Sequence, residues 1–326
     1  MKTLLPLFSL FVLSCVAWAG DLALVQTISL EGAGGRIDHF SFDSARHRLF
    51  LAALGNDTVE VLDLAQQKRE RTLSGFGEPQ GIAVGAAINR VLVANAKDGV
   101  CHLFDAETLT KTGTVDLKDD ADNVRYDPAT KLFWVGYASG ALAAIDAEKN
   151  QVVAHIKLTA HPESFQMETK GARIFVNVPK AHEVAVIDRE KKAVVVRWPL
   201  KEASSNFPMA LDESHHRLFI GCRNPAKMVV LDTESGGVVA SVSVVSDADD
   251  IWFDPVRQRV YVSGGGGFVT VISQIDADHY AAVGKVATAS GARTSFFDPE
   301  SRNLYVAVPH RLTQQAEVRI YHTADH

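Results

Sequence analysis

The chain has 326 residues, 47% of them hydrophobic, and its 33 Lys and Arg against 39 Asp and Glu leave a formal charge of −6. A surface of that sign opposes non-specific attraction to nucleic-acid phosphates and to anionic membranes. Three cysteines exclude a disulfide framework as the source of stability.

The first segment reads as an export signal, 1–19. Lys2 supplies the positive start, Leu4 to Leu13 form an apolar run broken by Pro6 and Ser9, and Ala17-Trp18-Ala19 offers a small-x-small cleavage site. The run is shorter than the roughly 20 residues that span a bilayer. A mature chain starting at Gly20, periplasmic or secreted and without membrane insertion, is therefore expected. Val12-Leu13-Ser14-Cys15 is an alternative lipid-attachment box, although Leu13 fits it poorly. Cleavage would remove Cys15 and leave Cys101 and Cys222, too far apart in the repeats described next to be bonded.

From residue 20 onward one phrase recurs: a turn residue, then a basic or polar residue, then a β-rich pair. It reads Asp43…Arg48-Leu49-Phe50, Gly85…Arg90-Val91-Leu92, Asp127…Lys131-Leu132-Phe133 and Glu168…Arg173-Ile174-Phe175. It continues as Asp212…Arg217-Leu218-Phe219, Asp254…Arg259-Val260-Tyr261 and Asp298…Asn303-Leu304-Tyr305. The seven turn residues stand 41 to 44 positions apart. An apolar residue followed by Asp comes later in the first five copies, at Leu62-Asp63, Phe104-Asp105, Ile145-Asp146, Ile187-Asp188 and Leu231-Asp232. Each copy reads as four short strands, in the first near Ile37–Phe42, Arg48–Ala53, Thr58–Leu62 and Glu70–Leu73. Four strands per repeat at this period predict an all-β, seven-bladed β-propeller. Its single domain covers 20–326, with blades starting near 36, 78, 120, 161, 205, 247 and 291. The seventh copy stops after a third strand at Val318–His322, and Ala23–Ile28 is left over at the other end. Pairing the two closes the ring and removes two sheet edges.

On these residues the chain resembles the YncE-like, or YVTN-repeat, β-propellers. Leu92-Val93-Ala94-Asn95, Tyr261-Val262-Ser263-Gly264 and Tyr305-Val306-Ala307-Val308 are similar to that repeat's core, and Glu78-Pro79-Gln80-Gly81-Ile82-Ala83-Val84 to its blade opening. The resemblance implies the fold. It does not imply one function, because such propellers include lactonases, lyases and nucleic-acid binders.

In a propeller the start of each first strand and the loop between the second and third strands share one face. Five residues before each turn residue stand Asp38, Gln80, Asp122, Glu163, Phe207, Asp249 and Arg293, with His39, Asn123, Ser164, Asn206, Asp250 and Thr294 beside them. Such positions can be polar merely because they meet water. Converging carboxylates, however, repel one another and invite a cation. Asp119-Asp120-Ala121-Asp122 and Asp247-Ala248-Asp249-Asp250 crowd acids at two openings. Asp38, Asp122, Glu163 and Asp249 are the expected metal ligands. Oxygen donors favour calcium or magnesium, and His39 or His161 would widen the choice to transition metals. The second-to-third-strand loops bring Asn95, Lys97, Asn177, Lys180, Arg223, Asn224, His310 and Arg311 to the same face, as a basic outer rim.

Other features carry less. Gly264–Gly267 precedes a strand and not a helix, so it reads as a hairpin turn and not a phosphate loop. His215-His216 falls in a turn, and Cys222 reads as a half-buried thiol. The expected function is an exported binding module for a small polar ligand, a metal ion or another exported protein at the acidic mouth, as a monomer. The alternative is a metal-assisted lactonase or hydrolase using the same carboxylates. Single-stranded DNA binding ranks third, since it calls for a basic groove with stacking platforms.

Overall fold

The computed structural model describes residues 22–324, so the segment expected to be an export signal lies outside them. The described strands form seven four-stranded antiparallel sheets. The first strands contact one another in sequence, blade 1 to blade 7 and back to blade 1, which closes a seven-bladed β-propeller around a channel. Among the described residues no helix is long and apolar enough to cross a membrane.

The recurring phrases have separate physical roles. Asp43, Asp127, Asp212, Asp254 and Asp298 end the first strands and accept a backbone N–H two or three residues on, as with Ala129 to Asp127 at 3.0 Å and Val256 to Asp254 at 3.0 Å. Asp63, Asp105, Asp146, Asp188 and Asp232 repeat this after the third strands, as with Gln66 to Asp63 at 2.9 Å. These side chains take the place of a backbone turn acceptor, which is why Asp marks the repeat. The basic residue ties blades together: Arg173 donates to the Thr233 carbonyl of the next blade at 2.6 Å, and Arg217 to that of Ala277 at 2.9 Å.

The core consists of seven apolar clusters, one at each seam between neighbouring blades. Phe50, Leu92, Trp134, Phe175, Phe219, Tyr261 and Tyr305 each project into the seam with the following blade, none more than 3% exposed. Blade 3 corrects the expected alignment by one residue. Asp127 pairs with Leu132 as Asp43 pairs with Arg48, so the counterpart of Phe50 is Trp134 and not Phe133. The turn keeps its length, and Leu132 takes the place that a basic residue holds in most other blades.

The last blade is completed from the other end of the chain. Leu22–Ser29 runs antiparallel to Glu317–Thr323, with Ile28 opposite Val318. Leu22 reaches the seam of blades 6 and 7, and Ile28 and Leu30 that of blades 7 and 1. Gly264 to Gly267 form the hairpin of blade 6, with Gly267 at φ +83.

Candidate functional site

Each first strand begins at or just after the residues singled out above, at the mouth of the channel, and runs toward its turn residue at the opposite face. In blades 2, 3, 5 and 6 the register shifts near that beginning, between Pro79 and Ile82, Ala121 and Val124, Asn206 and Met209, and Ala248 and Asp250. These β-bulges hold Gln80, Asp122, Phe207 and Asp249 and re-aim their side chains. Gly81 permits one of them, because a Cβ there would stand 2.0 Å from the Asp122 carbonyl oxygen of the next blade.

The mouth encloses a cavity of about 930 Å³. Asp38, His39, Gln80, Asp122, Asn123, Glu163, Lys180, Arg223, Asp249 and Arg293 line it, together with Arg36, Asp120 and His161. Its wall has two electrostatic halves. In the first, acids are matched by arginines: Arg36 donates to Asp38 at 3.0 Å, and Asp249 receives Arg293 at 2.8 Å as well as Arg223. The Arg223 guanidinium lies 3.8 Å from the centre of the Phe207 ring, a close cation–π pair. Burial pushes the Asp249 carboxyl up, Asp38 adds to the rise, and Arg293 and Arg223 oppose it.

The second half has no arginine partner. Asp122 is 6% exposed, and its Oδ1 has no hydrogen-bond partner. His39 Nε2 stands 3.7 Å from Asp122 Oδ1, and His161 Nε2 3.7 Å from Asp122 Oδ2, ion-pair distances beyond a hydrogen bond. His161 Nδ1 lies 2.5 Å from the Ala138 carbonyl, which fixes Nδ1 as the protonated nitrogen and leaves Nε2 facing Asp122. Burial opposes the His161 charge, but Asp122 and that carbonyl outweigh it and raise its pKa to about 9. Burial and the negative charge of Asp122 push Glu163 up to about 8. One donor atom each from Asp122, His161 and Glu163 falls within a 4.8 Å span.

Behind this half lies a buried charge network. Arg125 is partly buried, donates toward Ser164 Oγ at 3.4 Å, and stands 5.6 Å from the Phe165 ring centre. Burial pushes Asp250 up to about 7, although it accepts the Ser295 N–H at 2.8 Å. His39 is raised in spite of its burial, by Asp38, Asp250 and Asp122.

Several expected site residues sit elsewhere. Asn206 is buried and braces blades 4 and 5, donating to Asn177 Oδ1 at 2.9 Å and to the Glu183 carbonyl at 3.1 Å. Asp250 does not line the cavity and instead accepts the Ser295 N–H of the next blade at 2.8 Å. The four acids expected as one metal set are divided: arginines engage Asp38 and Asp249, while Asp122 and Glu163 join His161. Of the expected basic rim, Lys180 and Arg223 line the acidic cavity itself. His310 and Arg311 line a second, smaller pocket. Asn95 donates to the Val100 carbonyl at 2.6 Å, and Asn177 to that of Phe207 at 3.0 Å, both structural roles. Cys222 is fully buried rather than half-buried, and burial pushes its thiol up to about 12. Cys101 is also a free, buried thiol. His215 lies exposed in its turn, where it pairs with Asp212 at 2.7 Å.

Arg36 and Arg125 were not among the expected site residues, and His161 was expected only as an accessory. Arg125 carried a signal, as a guanidinium inside the otherwise uncharged run Val124-Arg125-Tyr126.

No family model matches the chain. It is 22% identical over 256 residues, 74% of its own length and 71% of theirs, to two proteins named uncharacterized protein YncE, from Salmonella typhimurium strain LT2 and Salmonella typhi. Among solved structures it superposes on a chain of Kuenenia stuttgartiensis hydrazine synthase with a TM-score of 0.78 at 16% identity, over 88% of this chain and 96% of that one. A chain of a mitotic checkpoint complex gives a TM-score of 0.81 at 12% identity, over 100% and 99%. At those identities the two structures bear on the fold alone.

Proposed function

We propose that this chain, a YncE-like β-propeller, is an exported binding module that holds a divalent metal ion at its channel mouth and, through it, a small polar ligand. Asp122, His161 and Glu163 are the protein ligands. The observation that carries this reading is the convergence of one donor atom each from Asp122, His161 and Glu163 within 4.8 Å, with Asp122 Oδ1 buried and without a hydrogen-bond partner. A buried carboxylate oxygen left unpaired is costly, and a cation removes that cost. Donors bound to zinc at 2.0–2.2 Å stand about 3–3.5 Å from one another, so the three need draw inward by little more than 1 Å. One imidazole with two carboxylates suits zinc or manganese better than calcium or magnesium.

Calorimetric titration of the metal-stripped protein with Zn²⁺ and Mn²⁺ tests the reading. One-site binding should be weakened at least tenfold in Asp122→Asn, which keeps the shape and removes the charge. Equal binding by parent and variant would overturn it.

A second reading rests on the ligand count. Three protein ligands leave a position open for water, as catalytic zinc sites do. Metal-dependent hydrolysis of simple lactones, abolished in Asp122→Asn, would distinguish an enzyme from a binding module.

A further inference from the structure

A second compartment of about 240 Å³ opens beside the main cavity at the seam of blades 7 and 1. Arg36, Arg293, His310 and Arg311 stand on its wall, with Gly35 and Gly291 among its other lining residues. Among the described residues no carboxylate lines it, whereas acids dominate the main cavity. Arg36 and Arg293 line both spaces, so the two communicate across these side chains.

The loop that carries Arg311 is built rather than loose. Arg311 and Gln314 exchange backbone hydrogen bonds of 3.0 and 2.7 Å. The Gln314 amide ties the turn down at the Pro309 carbonyl, 2.7 Å away, and at the Ser290 carbonyl, 3.1 Å away. Gly291, at φ +76, makes room for the guanidinium: a Cβ there would fall 2.5 Å from Arg311 Cζ. The only side-chain partner of Arg311 among the described residues is Ser290 Oγ at 3.5 Å, a long contact that leaves most of its donors unspent. Arg36 and Arg293 differ, since each already serves an acid of the main cavity.

We propose that this compartment binds a phosphate group, free or carried by a small organic ligand whose remainder extends across Arg36 and Arg293 into the main cavity. Three guanidinium groups around one space, one of them without an acid, match a group with at least two negative charges and three acceptor oxygens. A phosphate dianion meets both requirements, and a single carboxylate meets neither.

The test is independent of the metal site because it uses protein stripped with EDTA. Inorganic phosphate and phenyl phosphate are titrated separately at mildly alkaline pH, where both are dianions. Each should bind at one site, and Arg311→Gln should weaken that binding about tenfold or more, the loss of a charged hydrogen-bond partner. Arg311→Lys should recover part of the affinity. Tighter binding of phenyl phosphate identifies a monoester as the natural form, and tighter binding of inorganic phosphate the free ion. Arg311 is exposed, so both variants should melt as the parent does. Unchanged affinity in Arg311→Gln, or no saturable binding at millimolar phosphate, would overturn the proposal.

Discussion

Ring closure by the amino-terminal strand can be tested at single residues. Ile28 is 2% exposed and lies in the cluster of Leu49, Tyr305 and Val318, which belong to the first and last blades. Truncating it to Ala removes three buried carbons and leaves a cavity, at a cost of about 2–5 kcal/mol. Leu22, 5% exposed, serves the seam of blades 6 and 7, and Leu22→Ala should cost about as much. The two sites share no cluster, so their effects should add to within about 0.5 kcal/mol. Val25, 56% exposed in the same strand, is the control, and Val25→Ala should stay within about 0.5 kcal/mol of the parent. Urea unfolding followed by tryptophan fluorescence reads all five proteins, the double variant and the parent included. If Ile28→Ala unfolds at the same urea concentration as Val25→Ala, the strand does not seal the ring, and the pairing with Glu317–Thr323 contributes nothing to stability.

Other expectations follow from the mouth and its buried network. Gly81→Ala forces a Cβ to within 2.0 Å of the Asp122 carbonyl, so it should cost about 1–3 kcal/mol and also weaken metal binding, both readable by melting with and without Zn²⁺. Asp250 is raised to about 7, so the folded state binds more protons than the unfolded chain, and its contribution is lost as pH rises from about 4 to 7. Asp250→Asn should flatten the fall in melting temperature across that window, and an unchanged slope would show that Asp250 does not titrate there. Cleavage after Ala19 should leave an exported protein whose intact mass begins at Gly20. A lipid on Cys15 would contradict that expectation.

The fold was legible because its repeat is written in side chains with local work to do. Asp43 and its counterparts replace a backbone acceptor in each turn, and Phe50 and its counterparts fill each seam, so both recur at fixed spacing. Blade 3 shows the limit, since the basic residue of the phrase is lost at Leu132 and a neighbouring lysine mimics it. At the mouth, ring symmetry placed Asp38, Asp122, Glu163, Asp249 and Arg293 at equivalent positions, and all five line the cavity. Symmetry does not say which of them touch. Bulges at Asp122 and Asp249 aim these side chains individually, one toward His161 and one between two arginines, while the same device leaves Asn206 inside the wall. Local pairing of this kind depends on backbone shifts of one residue, which alternation of apolar and polar positions does not encode.

Anomalous diffraction from crystals grown with zinc and measured on either side of its absorption edge tests the metal site most directly. The account predicts one strong peak at the channel mouth, bounded by an Asp122 oxygen, His161 Nε2 and a Glu163 oxygen at about 2.0–2.2 Å. Zinc found only at surface histidines such as His216 or His279, with Asp122 still unpartnered, would contradict it.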